Sequence, residues 1–472
     1  MKWTRNRFLP VAYVAVLAAL VVVGCTGKQD PSETLAVCGN ASCGDLAMVT
    51  TDTASDGYHY LNPSLSPDGS RILFTADWWA LPADPRLTED FYFFNYRQMG
   101  IIPVREGLEP VQDLAGQGAE LIRLQETNVM LGGEPVNLRE VLNDDKGDPI
   151  WQDDEHVIFY LRLTRVGNRL FRANLNDPTA LAGLATIMPL HLEPSDANPA
   201  PRSWHHMNPN LSADGRWLLF TRSGCLVPDS LETCSNLSIW ALDMNTAGAA
   251  DGYGTLAFPL TNEYSRLERP SFSPDGRRIA FSGGLDLAGV NDSGTEIFTI
   301  EFDTTGLAGG TMVLDRGLER VTYTSYAEGD PLAGVLNSDP SWSPDGREIY
   351  FVSTRRAPTT TLHDRNIWRV PADGSQDPVI HFFSRYDDLD PQILPDGTLL
   401  FSSMVGFPTG MLNRLEEESY QRIKGENEQN HAANPNIPLF NETQLRQLAA
   451  NERRQLEYFS GVMAHLYLYR GN

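Results

Sequence analysis

Along most of the chain the apolar positions fall in short runs around a fixed turn, rather than at the 3.6-residue spacing of helices. The stretch Asp339 to Ser353, DPSWSPDGREIYFVS, shows the unit: Trp342 on one side, the run Ile349, Tyr350, Phe351 on the other, and Pro344-Asp345-Gly346 between them. Proline presets φ, aspartate bonds its own backbone and glycine accepts a positive φ, so the pattern predicts a β-hairpin. Five more versions occur: NPSLSPDGSRILF from Asn62, DPIWQDDEHVIFY from Asp148, NPNLSADGRWLLF from Asn208, RPSFSPDGRRIAF from Arg269 and DPQILPDGTLLF from Asp390. A second alternating segment lies between the units, as in GNRLFRANLNDP from Gly167, SNLSIWALDMNT from Ser235, GTEIFTIEFDTTG from Gly294 and DRNIWRVPADGS from Asp364. Each repeat therefore holds two hairpins, or four short antiparallel strands.

One such sheet cannot bury both its faces, so neighbouring repeats must stack and the row must close to remove its edges. This predicts an all-β fold, a six-bladed β-propeller of four-stranded antiparallel blades, over residues 45–472. The ends suggest how the ring closes. The segment Leu46–Thr50 resembles Leu318–Thr322, which precedes the fifth unit, but has no inner strands before it. After Phe401 the third strand of the last repeat is missing, and a helical region intervenes before the strand-like AHLYLYR. Residues 464–470 are expected as the missing third strand, 46–50 as the fourth, and 405–461 as a helical insertion. Within it Asn441 is a candidate N-cap with Gln444 as its reciprocal partner. Leu445, Leu448, Leu456 and Phe459 form one apolar stripe, expected to pack on the propeller's outer wall or rim, with a docking helix as the alternative. A second insertion, roughly 96–132, is expected to cap one rim.

A proline, then Trp or Phe, then Ser-Pro-Asp-Gly and an apolar run ending in Phe, followed by an Ile-aromatic strand, resembles the TolB-like propeller repeat of bacterial exported proteins. The resemblance covers roughly residues 45–403. The Asp148 copy departs from it, with Gln152-Asp153-Asp154-Glu155 at the turn, and the Asn208 copy has Ala213 in place of proline. The resemblance implies a periplasmic interaction platform whose partner is another envelope protein.

The N-terminus agrees with export. Lys2, Arg5 and Arg7 precede an uncharged run from Phe8 to Gly24 and then Cys25, which reads as a signal peptide over 1–24. Val22-Val23-Gly24-Cys25 resembles a lipobox, implying lipidation at Cys25, and Thr26 resembles the pattern of lipoproteins sent to the outer membrane; an uncleaved anchor is the alternative. Residues 25–44 are small and polar and read as a tether. The formal net charge is −24. Acidity of this size argues against nucleic acid or an anionic lipid surface as partners. Cys38, Cys43, Cys225 and Cys234 form two close pairs, Cys38–Cys43 and Cys225–Cys234, expected as disulfides in an exported chain. None has metal or haem spacing, and no cofactor is expected.

The residue before each repeat's proline is placed at the mouth of the central channel, giving Asn62, Asp148, Asn208, Arg269, Asp339 and Asp390. By strand alternation the residues two earlier, Tyr60, Lys146, His206, Leu267, Asn337 and Asp388, are candidates for the same face. Such a ring suits a peptide segment, a cation or waters; equally, Asp and Asn before proline serve as turn starters. The chain has no G-x-S-x-G elbow and no phosphate loop. Two functions stay open: a protein-binding scaffold in the cell envelope, and a channel-mouth enzyme or small-ligand receptor with Asp148, Asp339 and Asp390 as metal ligands or acid/base groups and Arg269 positioning an anion.

Overall fold

The computed structural model describes residues 45–470 except 50–57, 79–95, 105–119, 122–127, 132–133, 138–145, 164–166, 177–185, 192–202, 226–233, 247–255, 285–286, 288–293, 306–312, 324–334, 356–364, 385–386, 404–408, 436 and 460–464. Cys25, Cys38, Cys43, the signal segment and the tether lie outside the described residues. After β1 (Asp45–Met48), blade 1 is β2 (Tyr58–Leu65), β3 (Arg71–Trp78), β4 (Tyr96–Pro103) and β5 (Glu120–Leu121), followed by a separate hairpin, β6 (Asn128–Leu131) and β7 (Glu134–Asn137). Blade 2 is β8 (Lys146–Trp151), β9 (His156–Leu163), β10 (Gly167–Asn174) and β11 (Thr186–Pro189). Blade 3 is β12 (Ser203–Leu211), β13 (Trp217–Cys225), β14 (Cys234–Asp243) and β15 (Ala257–Pro259). Blade 4 is β16 (Leu267–Phe272), β17 (Arg278–Gly284), β18 (Thr295–Glu301) and β19 (Glu319–Arg320). Blade 5 is β20 (Asn337–Trp342), β21 (Glu348–Ser353), β22 (Asn366–Pro371) and β23 (Val379–Phe382). Blade 6 begins with β24 (Asp388–Ile393) and β25 (Leu399–Ser403), and α1 (Thr409–Ala433) and α2 (Glu442–Phe459) precede the last strand, β26 (His465–Arg470).

Six four-stranded antiparallel sheets make a six-bladed β-propeller. Five blades run in chain order, while the sixth has the order β24, β25, β26, β1. Phe401 pairs with Tyr467, and Leu46 in turn pairs with Tyr469, so the two ends of the described chain share one sheet. The core lies between blades. Ile72 and Phe74 of blade 1 pack on Leu400, Leu466 and Leu468 of blade 6, and Ala280 and Ile297 of blade 4 pack on Trp342, Ile349 and Phe351 of blade 5. A fully buried side chain of this kind contributes about 1.5–3 kcal/mol, which a lone blade could not collect on both faces.

The repeated turn has a job for its serine as well. Ser343 Oγ donates to Asp345 at 2.7 Å and accepts the Glu348 N–H at 2.9 Å, while the Gly346 N–H closes on Ser343 O at φ +69°. Ser66, Ser212 and Ser273 make the same bond to Asp68, Asp214 and Asp275. These hydrogen bonds hold the aspartates below the usual carboxylate range, Asp68 at about 2. Blade 2 lacks Gly and Ser at its turn and compensates with Asp153, which accepts from the N–H groups of Glu155 and His156.

Two expectations need correction. The 96–132 segment begins as blade 1's own third strand, and the separate hairpin lies at 128–137, because Tyr96–Pro103 pairs along its whole length with β3. In the described part of the helical stripe, Leu445, with Ala449, packs on Tyr420 and Ile423 of α1 and Leu448 is 37% exposed, whereas the side chains of Leu456 and Phe459 lie outside the described residues. Helix α2 starts with a capping box: the Gln444 N–H donates to Asn441 Oδ1 at 2.8 Å and the Asn441 N–H to Gln444 Oε1 at 3.0 Å. Among the described residues, no helix is long and apolar enough to cross a membrane.

Candidate functional site

Every innermost strand carries the same irregularity. The register of the first and second strands slips between Leu61 and Ser64, Gly147 and Ile150, Met207 and Asn210, Glu268 and Ser271, Ser338 and Ser341, and Leu389 and Gln392. Each slip is a β-bulge holding the residue before the repeat's proline and the proline itself. Asn62, Asp148, Asn208, Arg269, Asp339 and Asp390 all have φ between 49° and 54°. Asn and Asp tolerate this left-handed conformation because their short side chains bond locally, and arginine does so less readily. These residues therefore sit within strands rather than starting turns, and the bulge turns all six toward the channel axis.

There they meet one another. Arg269 Nε lies 3.1 Å from Asp339, Nη1 3.3 Å from Asp148 and Nη2 3.9 Å from Asp390. The side-chain amides of Asn62 and Asn208 donate to the two oxygens of Asp148, at 3.1 and 2.9 Å. Backbone groups complete the ring: the Asn62 N–H donates to Asp390 at 2.9 Å, and the Asn208 N–H to Asp148 at 3.2 Å. Burial acts to lower the Arg269 pKa, but Asp148, Asp339 and Asp390 outweigh it and push it up. With three carboxylates on one guanidinium the ring is short of positive charge. Burial accordingly raises Asp390 to about 6, against the pull of Arg269 and with the push of Asp339.

This layer divides the channel. On the proline side, a cavity of about 190 Å³ is lined by the ring and by residues two positions later, such as Ser64, Asn210 and Gln392. On the other side lies a vestibule of about 350 Å³ lined by Leu61, Glu268, Ser338 and Leu389, one position before four of the ring residues, with Arg266 and Arg365; Asn62, Asp148, Arg269, Asp339 and Asp390 of the ring form its floor. The bulge brings two consecutive residues to the channel, so simple alternation fails above it. The residues two earlier turn between the blades instead. His206 is fully buried, stacks on His191 at 5.4 Å and meets Phe220 at a tilt at 4.9 Å. Asp388 is fully buried, accepts from the hydroxyls of Ser384 and Ser403 at 2.9 and 2.7 Å, and is pushed well up by burial. Tyr60 and Leu267 join apolar clusters, and Asn337 bonds Glu296 and Ser353. The side chain of Lys146 is outside the described residues.

Sequence alternation therefore misses Glu268, Arg266 and Arg365. The signal that could have found them is the charge at 268, where the equivalent positions hold Leu61, Gly147, Met207, Ser338 and Leu389. Glu268 is open to the vestibule yet walled by protein; this desolvation, then Asp339, pushes its carboxyl up, and Arg269, Arg266 and Arg365 restrain the rise. Cys225 and Cys234 are direct cross-strand partners in β13 and β14. Among the described residues, no group of three His, Cys, Asp or Glu side chains is placed to hold a metal ion.

No family model matches the chain. It is similar to TolB propellers. A TolB from Agrobacterium tumefaciens aligns at 17% identity and a TM-score of 0.39, over 72% of this chain and 87% of that one. TolB from Acinetobacter baumannii aligns at 13% and 0.37, over 78% and 83%. A puromycin-hydrolyzing peptidase of Mycobacterium tuberculosis aligns at 16% and 0.41, over 76% of this chain and 46% of that one. All three scores lie below 0.5, and the six-blade architecture rests on the sheets themselves. In sequence, an uncharacterized protein of Agrobacterium fabrum is 29% identical over 215 residues, 40% of this chain. A lasso peptide isopeptidase of Asticcacaulis excentricus is 30% identical over 142 residues, 29% of this chain. The chain spans 62% of the first relative's length and 19% of the second's.

Proposed function

We propose that the protein is an exported, lipid-anchored propeller that binds another protein of the bacterial cell envelope through its channel mouth. Cys25 is the lipidation site, Cys38–Cys43 and Cys225–Cys234 are disulfides, and the propeller stands on the outer-membrane side of the periplasm. The observation that carries the binding reading is the Arg269 layer. Its acids and base are spent on one another, at 3.1 to 3.9 Å, so the layer works as a fixed floor beneath an open vestibule rather than as a reactive constellation. Reversible crosslinking followed by co-purification from solubilised membranes tests this. One recurrent envelope protein, lost when the vestibule is altered, is expected; repeated recovery of no partner would overturn it.

A small-ligand or catalytic use of the channel has one observation in its favour, the raised carboxyls of Glu268 and Asp390 inside a cavity. A divalent ion there would have to displace Arg269 from Asp339 and Asp390. A stoichiometric metal that is lost in the Asp339→Ala, Asp390→Ala double variant would favour this second reading.

A further inference from the structure

The vestibule is mixed in charge: Asp148, Glu268, Asp339 and Asp390 line it together with Arg266, Arg269 and Arg365. The protein carries a net −24, and the ring beneath the vestibule holds three carboxylates against one arginine. Arg269 is held by the three ring aspartates of the floor, and above them the charged lining residues are Arg266 and Arg365 with Glu268. Arg365 is set for a guest. Its N–H donates to Asp387 Oδ1 at 3.0 Å and its carbonyl accepts the Asp388 N–H at 2.8 Å, so blade 6 pins its backbone on both sides. Its guanidinium, half-buried at the cavity wall, makes no ion pair among the described residues. The rest of the wall includes Leu61, Leu336, Val352 and Leu389, an apolar surface facing these charges across about 350 Å³. That volume falls in the range of small-ligand sites, and a planar guanidinium pairs best with a two-oxygen anion.

We propose that the vestibule binds a carboxylate carried on an apolar stem, with Arg365 as its principal receiver and Arg266 as the second. The proposal deepens the channel-mouth reading above and rests on it. Glu268 competes with the guest for the two arginines, and Leu61 and Leu389 cover its apolar part. Two sources share this chemistry: the C-terminus of a polypeptide ending in an apolar residue, and a free aliphatic acid.

Calorimetric titration of the intact protein with N-acetyl-Gly-Leu, its C-terminal amide and hexanoate tests the proposal. At least one acid should bind at one site per chain, and removing the charge of the peptide should weaken its binding about tenfold or more. Arg365→Met should weaken the acid about tenfold or more, Glu268→Gln should tighten it several-fold, and Arg347→Met, on an exposed turn, should change nothing. A thermal melt confirms that each variant is folded, and the gain expected for Glu268→Gln is one that unfolding cannot imitate. Preference for the peptide identifies a polypeptide C-terminus as the source, and equal or better binding of hexanoate identifies an aliphatic acid. No binding of either acid, equal binding of acid and amide, or binding unchanged in Arg365→Met would overturn the proposal. Membrane co-purification repeated with Arg365→Met keeps the two readings apart: a partner captured equally well leaves the scaffold standing without the carboxylate site, and acid binding with no partner does the reverse.

Discussion

Arg269 is the residue on which the ring depends most. It stands at a left-handed φ of 54°, a conformation arginine adopts at some cost, and from there it reaches three carboxylates contributed by blades 2, 5 and 6. Breaking a fully buried charge network by removing one partner costs about 3–5 kcal/mol, and losing Arg269, whose side chain is 31% exposed, should cost less than that because water screens it. Arg269→Met is therefore expected to lower the melting temperature clearly at pH 7 and to recover part of the loss at pH 5, where the orphaned carboxyls take up protons. A thermal scan at both pH values checks this. Asp390 has the opposite sign. Its folded pKa of about 6 lies above the usual 3.8, so between those values the folded state holds a proton that the unfolded state has released. This stabilisation is complete below about pH 4 and is lost as pH rises through 6. Asp390→Asn keeps an acceptor for the Asn62 N–H, so the variant should lose less stability than the parent between pH 4 and 7 in urea titrations.

At the scale of the element, the hairpin turns were legible because their cause is local. Proline, aspartate, glycine and serine settle Ser343–Glu348 among themselves, with bonds reaching no more than five residues. The start of α2 was legible for the same reason: Asn441 and Gln444 satisfy each other's N–H groups three residues apart. Asn441→Ala should cost about 1 kcal/mol. Hydrogen exchange should show it as faster exchange in the first turn of α2 with the blades unchanged. The bulges were not legible. A one-residue slip at Arg269-Pro270, two residues facing Phe281 alone, depends on the facing strand, where Glu268 pairs with Ser282 and Ser271 with Ala280, and nothing in the local pattern announces it. The period-two reading therefore assigned His206 and Asp388 to the channel, whereas the slip puts Glu268 and its equivalents there. The packing of α2 on α1 was hidden likewise, since an apolar stripe states that it is covered and not by what.

For the whole molecule, the sixth blade decides stability. Its third strand comes from the far end of the described chain and its fourth from the beginning, so β26 is held on one side by β25 and on the other by β1. Leu466 and Leu468 also fill the seam with Ile72 and Phe74 of blade 1. Deleting residues 465–472 would expose the edges of β25 and β1 and open that seam. The truncated protein is expected to lose the cooperative melt and become sensitive to protease throughout. An unchanged melting curve would show that the ring does not depend on this strand.

By itself the sequence determined the repeat, the number of blades, the turns and the six residues that form the ring, because each is written in neighbours a few positions apart. Tertiary structure alone decided which way those residues face, that Arg269 clasps Asp148, Asp339 and Asp390, and that Arg365 and Glu268 share the vestibule above them. The ring joins residues up to 328 positions apart, from Asn62 to Asp390, and only its closing brings such positions within bonding distance.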